Sequence, residues 1–508
     1  MASRQMGLEM EAAEATETGK AQTPPARPRL KKANRAQLVI SLLDLERLIP
    51  ADHLARAIES LVQKLPDADF LEKNKSVEGH AGRPRTDPRL LVAIWVYAYS
   101  QGLGEAEAIA EELKYEPALR WLAGNQTLSA RTLSGFRVAH EKALRGLFAE
   151  LLGMLSQLGL VDLSEVTLDG TKIKAAASAG SFRREPTLRE HIARAAAVIA
   201  QQEQPGASEA RSVQKQAALK RAAAERQTRL ERSLEELAQI RQGKTKAAQA
   251  EARVSLTDPE ARNMKGAQGG YAPSYNVQLT TTVKHPIIVD VAVTQQGFDQ
   301  QQLAPALARM PQLGGRVLVD GGYLTAQSIA AAAQAGVELI GPEFDPVARA
   351  AAGSAAALKQ AGIAAEYGPA AFKIVGQELQ CPAGKSLARI TKHAHYTRYQ
   401  AKRADCRACA HRLQCCPQSG QRTVKIFRER PEVTAFAERM KEERYKEIYR
   451  HRGPAAEFPN AWIKAKHGLR QFHVRGLAKV RVEALWSVLT YNIQQWFRLV
   501  WRPGLSPA

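Results

Sequence analysis

The sequence predicts a mixed α/β core with a helical N-terminal domain, a helical insertion and a small cysteine-rich insertion. Three observations carry that expectation. Tyr275–Val283 alternates and is rich in β-branched residues, and Pro286–Val293 follows after Lys284-His285, which predicts a hairpin. Arg316–Val319 and Val337–Ile340 are short apolar runs beside glycine, the pattern of buried parallel strands. Long stretches elsewhere repeat apolar residues every three or four positions, the helical period.

In chain order, residues 1–37 read as a disordered tail ending in Arg27, Arg29, Lys31, Lys32 and Arg35. Residues 38–160 read as helical throughout. Leu43, Leu45, Leu48 and Ile49 open the pattern, and Leu90, Leu91, Ile94, Trp95 and Tyr97 continue it. Thr132–Arg137 is expected to precede a helix running to Leu158. The core occupies 161–186 and 254–344, with the Ala-rich helix Ala326–Gln334 between two strands. Residues 187–253 interrupt it. Leu230, Leu234, Leu237 and Ile240 or Arg241 lie on one stripe, and Pro205-Gly206 splits the segment. It reads as two antiparallel helices, the other reading being one solvated helix. Residues 345–430 hold all five cysteines. Residues 431–508 are mostly helical again, with Val482, Leu485, Leu489, Ile493 and Trp496 on the buried face of the last helix.

Composition narrows the partners. Lys and Arg number 72 against 51 Asp and Glu, giving a net charge of +21. Such an excess attracts polyanions and fits a nucleic-acid partner, although an Ala- and Arg-rich basic composition alone would also produce it. The helical N-terminal domain then reads as a DNA-binding head or as a plain bundle. Within it, Arg83 and Arg85 of Gly82-Arg83-Pro84-Arg85 have the form of a minor-groove arm. No apolar run is long enough to span a bilayer, so a cytoplasmic, nucleoid-associated protein with no membrane partner is expected. Cysteines confined to 381–416 point to metal rather than to disulfides.

Three acids carry the chemistry. Asp169 follows Val166-Thr167-Leu168, Asp320 follows Val317-Leu318-Val319, and Glu457 opens a helical pattern. Two carboxylates side by side on neighbouring strands repel one another unless a divalent cation neutralises them. A Glu from a later helix can close such a site, and the ions held there would serve phosphoryl transfer on a polynucleotide. Lys464 lies seven residues after Glu457, on the same helical face, within reach of a DNA phosphate. Glu447 is the rival third acid but has no Lys seven residues on. Cys381 and Cys406-x-x-Cys409 with Cys415 can form a tetrahedral Zn²⁺ site, with Cys416 or His411 as alternative ligands and reduced, metal-free thiols as the other reading.

The chain resembles bacterial insertion-sequence transposases of the DDE type. The resemblance rests on Asp169-Gly170-Thr171-Lys172, Tyr275-Asn276-Val277-Gln278, Val319-Asp320-Gly321-Gly322-Tyr323 and Gly468–Leu477. Tyr449, Arg452, Glu457 and Lys464 are similar to that family's signature around its third acid, with an Arg-to-Glu gap one residue longer than its best-known form. The resemblance implies an RNase H-like core in which Asp169, Asp320 and Glu457 hold Mg²⁺ or Mn²⁺. It also implies DNA contacts by Tyr449, Arg452, Lys464 and Lys172, cleavage at terminal inverted repeats, strand transfer into target DNA, and a homodimer in the DNA complex. A catalytically inactive DNA-binding protein and an RNase H-like nuclease without strand transfer are the alternatives.

Overall fold

Helical spacing and local capping shape the first part of the chain. Helix α1 (Leu54–Lys64) starts where His53 Nδ1 accepts from the Ala55 amide, and it buries Ile58, Leu61 and Val62. Helix α2 (Pro88–Ser100) begins with a proline that fits a first turn, capped by Asp87. All residues from Leu91 to Tyr99 are buried, so α2 is central to the bundle. Thr132–Arg137 does not precede a helix but forms most of one, α3 (Ala130–Ala139), because Ser129 caps it by accepting from the Thr132 amide. Helix α4 (Glu141–Gln157) follows. The computed structural model describes residues 43–72, 84–203, 213–266, 269–343, 355–393, 396–427 and 430–505, so the basic tail, Arg83 and Pro205-Gly206 lie outside the described residues.

Strand β1 (Glu165–Lys174) opens the sheet. Helices α5 (Glu185–Glu203) and α6 (Val213–Arg241) follow and pack through Leu188, Ala195, Leu230 and Leu237. Arg241 at the end of α6 pairs with Glu185 at the start of α5, so the two run antiparallel. The chain then adds β2 (Arg262–Lys265), β3 (Tyr271–Thr282), β4 (Ile288–Thr294), β5 (Arg316–Val319), helix α7 (Ala326–Gln334) and β6 (Glu338–Ile340). The order is β2-β3-β1-β5-β6, with β4 also on β3. β3 is antiparallel to β1, β2 and β4, whereas β1, β5 and β6 are mutually parallel. The hairpin and the two apolar parallel strands fall where the sequence predicts them. Asp169, however, is not at a strand end, since β1 continues five residues past it against β3.

A second, five-stranded antiparallel sheet spans 373–427 and carries the cysteine region. Its strand Lys373–Val375 is fully exposed and Ser386–Lys392 nearly so, and only Tyr396–Ala401 alternates in burial. Helices α8 (Arg452–Ala465) and α9 (Leu477–Trp496) complete the fold.

Helix α9 buries nearly every side chain, including the polar Glu483, Ser487, Thr490, Asn492 and Gln495. It packs on α2 and α4 and also on β4, so a single hydrophobic cluster joins the N-terminal helices to Ile173, Tyr275, Val277 and Leu279 of the sheet. Glu483 ties the joint. Its carboxylate accepts from the His473 and Val474 amides, from His473 Nδ1 at 2.7 Å and from Tyr99 Oη, with Arg137 Nη1 at 3.7 Å. Arg137 also lies over the Trp95 ring. A carboxylate so deeply buried requires this many donors.

Candidate active site

Parallel pairing of β1 with β5 sets Leu168 opposite Val319, so the next residues, Asp169 and Asp320, emerge side by side. Arg452, at the start of α8, reaches between them. Its Nη2 donates to Asp169 Oδ1 at 2.6 Å and lies 4.0 Å from Asp320 Oδ2. Two turns along α8, Asn460 Nδ2 donates to Asp169 Oδ2 at 2.7 Å. Asp320 Oδ1 accepts from the Gly322 amide at 2.7 Å, which folds the 320–323 turn over the strand end.

Burial dominates the electrostatics. It pushes the Asp169 carboxyl up to about 6; Arg452 opposes the shift, and Asp320 and Asp299 add to it. Lys464 is held below its usual range by burial, while Asp169 draws it upward, so its ammonium stands within the field of that carboxylate. Tyr449 is raised first by burial and then by Asp320 and Asp169, against Arg452. Arg452 therefore bridges the two aspartates, and Tyr449 and Lys464 stand within their field.

Other predicted residues are placed elsewhere. Glu457 is exposed and forms no hydrogen bond or ion pair among the described residues. It lies on the same face of α8 as Lys464, one turn before Asn460. Lys172, three residues from Asp169, points to the opposite face of β1 and donates to the Lys265 carbonyl at 2.9 Å. Arg85 is exposed just before α2. Glu447, the rival acid, sits in the helix Glu443–Arg450.

Sequence reasoning missed a polar layer on the other face of β1. Gln278 and Asn276 donate to Asp299 Oδ1 at 2.7 and 2.8 Å, and Tyr323 Oη donates to Gln278 Oε1 at 2.5 Å. A side chain at Gly170 would strike Asp299, which explains a glycine immediately after Asp169. The Tyr-Asn-Val-Gln run hinted at this layer; nothing local marked Asp299 or Asn460.

Among the described residues no three His, Cys, Asp or Glu side chains are gathered as a metal cluster. The donor set at Asp169 and Asp320 nonetheless fits a hard divalent cation. Two adjacent carboxylates are balanced by one guanidinium, and the buried Asn460 Oδ1 beside them has no hydrogen-bond partner. In the second sheet, Cys381, Cys406, Cys409, Cys415, Cys416 and His411 line one cavity of about 30 Å³. Backbone amides of Lys385 and Arg422 donate to the sulfurs of Cys381 and Cys406. Burial raises the Cys415 thiol to about 11, with Arg422 opposing and Cys416, Cys406 and Cys381 adding to the rise. None of the five forms a disulfide.

Two family models match the chain. "Transposase domain (DUF772)" covers residues 43–139, the N-terminal helices, and "Transposase DDE domain" covers 380–497, the cysteine region with α8 and α9. Both models describe transposase domains, the second of the DDE type, and the chain is similar to them over these two segments. The pairing of these two domains is typical of bacterial insertion-sequence transposases. Glu457 lies inside the second match, whereas Asp169 and Asp320 lie between the two. No curated protein matches the chain. Among solved structures, a piggyBac transposase synaptic complex with hairpin DNA aligns over 88% of this chain and 73% of that one, at 7% identity and a TM-score of 0.28, too slight a likeness to define the fold. No helix among the described residues is long and apolar enough to cross a membrane.

Proposed function

We propose that Asp169, Asp320 and Glu457 form the acidic centre of an RNase H-like core that cleaves DNA at the ends of a mobile element and joins those ends to target DNA. The observation that carries this is the register of β1 on β5, which sets two aspartates side by side beneath a helix bearing a glutamate. Antiparallel strands on one flank of β1 and parallel strands on the other support the RNase H-like reading.

Asp169 and Asp320 would hold Mg²⁺ or Mn²⁺, with Glu457 turning in from its exposed position on α8. Bound there, such ions activate a water or a 3′-hydroxyl and stabilise the leaving oxygen. Arg452 balances the two aspartates and, when a cation takes over that task, is free to move to a phosphate. Lys464, within the field of Asp169, would hold the scissile strand. Tyr449 offers its hydroxyl beside the same carboxylates, and Arg83, Arg85 and Lys172 would contact DNA farther out. Joining two ends calls for two centres, hence a homodimer on DNA, working in the cytoplasm at the nucleoid. Cys381, Cys406, Cys409 and Cys415 would hold a structural Zn²⁺.

The test uses duplexes from the ends of the element that flanks the gene, with Mg²⁺ or Mn²⁺ present. Wild-type protein should cleave and join them. Asp320→Ala and Glu457→Gln should bind the ends without cleaving. Cleavage retained in Asp320→Ala would sink the assignment, and cleavage retained in Glu457→Gln would remove Glu457 from the centre.

A further inference from the structure

Beyond Asp169, β1 runs on to Lys174 and ends against a groove of about 590 Å³. Lys174, Ser178, Thr257, Tyr271, Gln471 and Arg475 line it. Tyr271 is 71% exposed, unusual for so large a ring. Gln471 Nε2 and Arg475 Nε donate to the carbonyls of Ala175 and Ala176, both at 3.0 Å. These bonds fix the two side chains along the wall and leave both Nη groups of Arg475 without a partner among the described residues.

Helix α6 of the helical insertion flanks the groove, reaching the residue next to Thr257. Arg229 of α6 donates through Nε to the Leu256 carbonyl at 3.1 Å. Burial, then the nearby charges of Arg475 and Arg226, hold its guanidinium below the usual range, with Glu225 partly opposing them. Elsewhere in the insertion, Arg189, Arg194, Arg232 and Arg241 each pair with a glutamate. Lys174, Arg226, Arg229 and Arg475 form no ion pair among the described residues. Glu225 acts on Arg229 and Asp258 feels Arg475, but none of the four cations is held in an ion pair, and a cluster left unpaired in this way is suited to an outside polyanion.

We propose that this groove, lined by the end of β1 and the 471–475 segment and flanked by α6, seats the phosphate backbone of the DNA duplex about five base pairs from the bond cut at Asp169. The spacing follows from five strand residues at about 3.4 Å each, set against about 3.4 Å per base pair. This rests on Asp169 as the reacting centre. Unpaired arginines can each engage a phosphate with two donors, and the Tyr271 hydroxyl and the Ser178 and Thr257 side chains add neutral donors of the kind that position DNA without reading sequence. A second copy of this chain would bring the same uncompensated positive charge, so the insertion is assigned to DNA rather than to dimer contact.

The experiment measures binding of the full chain to a 30-base-pair duplex from the element's end, by fluorescence anisotropy from 50 to 300 mM KCl. Lys174→Glu/Arg226→Glu should lower the slope of log K against log [salt] by about two, since each lost phosphate contact removes about 0.9. Hydroxyl-radical protection should disappear about five base pairs from the cut. Should the double variant melt early, Lys174→Gln and Arg226→Gln, at exposed positions, should each lower the slope by about one. A wild-type slope and footprint in a folded variant would overturn the proposal. So would a changed oligomeric state with the slope intact, which would mark a protein interface. Asp320→Ala run alongside separates the two readings: if it still cleaves, the centre is elsewhere, while slope and footprint still report on the groove.

Discussion

His467 should make the protein acid-sensitive, and the size of the effect follows from its surroundings. The ring is 1% exposed between α8 and α9. Nε2 lies 2.8 Å from Gln494 Oε1 and Nδ1 lies 2.9 Å from Ser487 Oγ. An acceptor on one side and a hydroxyl on the other suit the neutral Nε2–H tautomer, with nothing anionic to welcome a second proton. Burial pushes the pKa from 6.5 down to about 4, with Gln494 opposing. A depressed histidine stabilises the fold above the unfolded pKa, and that contribution is lost as pH falls through about 4. The shift of about 2.5 units corresponds to about 3 kcal/mol in full, of which about 2 kcal/mol is gone by pH 5. His467→Gln keeps a donor and an acceptor but does not titrate. Melting of the full chain at pH 8 and pH 5, with chelator present, compares the two proteins. At about 2 cal/mol/K per residue, the wild type should lose roughly 2 °C more than the variant between those pH values. Parallel pH profiles, or an NMR titration of His467 near 6.5, would refute the reasoning.

The acidic centre should trade stability for chemistry. The Asp169 carboxyl, raised to about 6, stabilises the fold only when protonated, and that contribution is lost as pH rises from about 4 through 6. Asp169→Asn should therefore abolish cleavage yet melt higher at pH 7 in chelator, by up to about 3 kcal/mol, with the gain shrinking toward pH 4. Asn492 clamps the edge strand β4, accepting from the Ile288 amide at 3.0 Å and donating to its carbonyl at 2.8 Å. Asn492→Ala should leave both groups buried and unpaired, costing about 2–4 kcal/mol in urea unfolding. Elemental analysis should find about one zinc per chain, falling toward zero in Cys406→Ser; a zinc-free wild type would remove the metal from the second sheet.

Much of this was legible before any coordinates. Short runs of apolar and β-branched residues leading into Asp-Gly marked both aspartates, because a parallel pair is buried on both faces and leaves little polar alternation to confuse the reading. The course of β1 beyond Asp169 was not legible, since Lys172 and Lys174 look like loop residues until β3 pairs with them. Helical period put Lys464 with the acids but could not reveal that Asn460 and Arg452 hold Asp169 while Glu457 faces outward. Asp299 reaches the polar layer behind Asp169 only through the fold of a loop 130 residues downstream of it. The sheet at 373–427 escaped because every strand but Tyr396–Ala401 buries one side chain or none, and burial is what writes a period into sequence.

The cluster shared by the N-terminal helices and the sheet that carries Asp169 and Asp320, pinned at Glu483, has a mechanical meaning. A recognition module on a tether can reach cutting positions at many distances from the sequence it reads. Here α2, α9 and β4 are packed as one solid, so in the proposed reaction, with the N-terminal helices reading the end sequence, the span from that sequence to the bond under Asp169 would be set by the body of the protein itself. It would work as a caliper rather than a leash. Adding or removing even one base pair between the two would move the scissile phosphate by about 3.4 Å and turn it around the helix axis, out of reach of the acids.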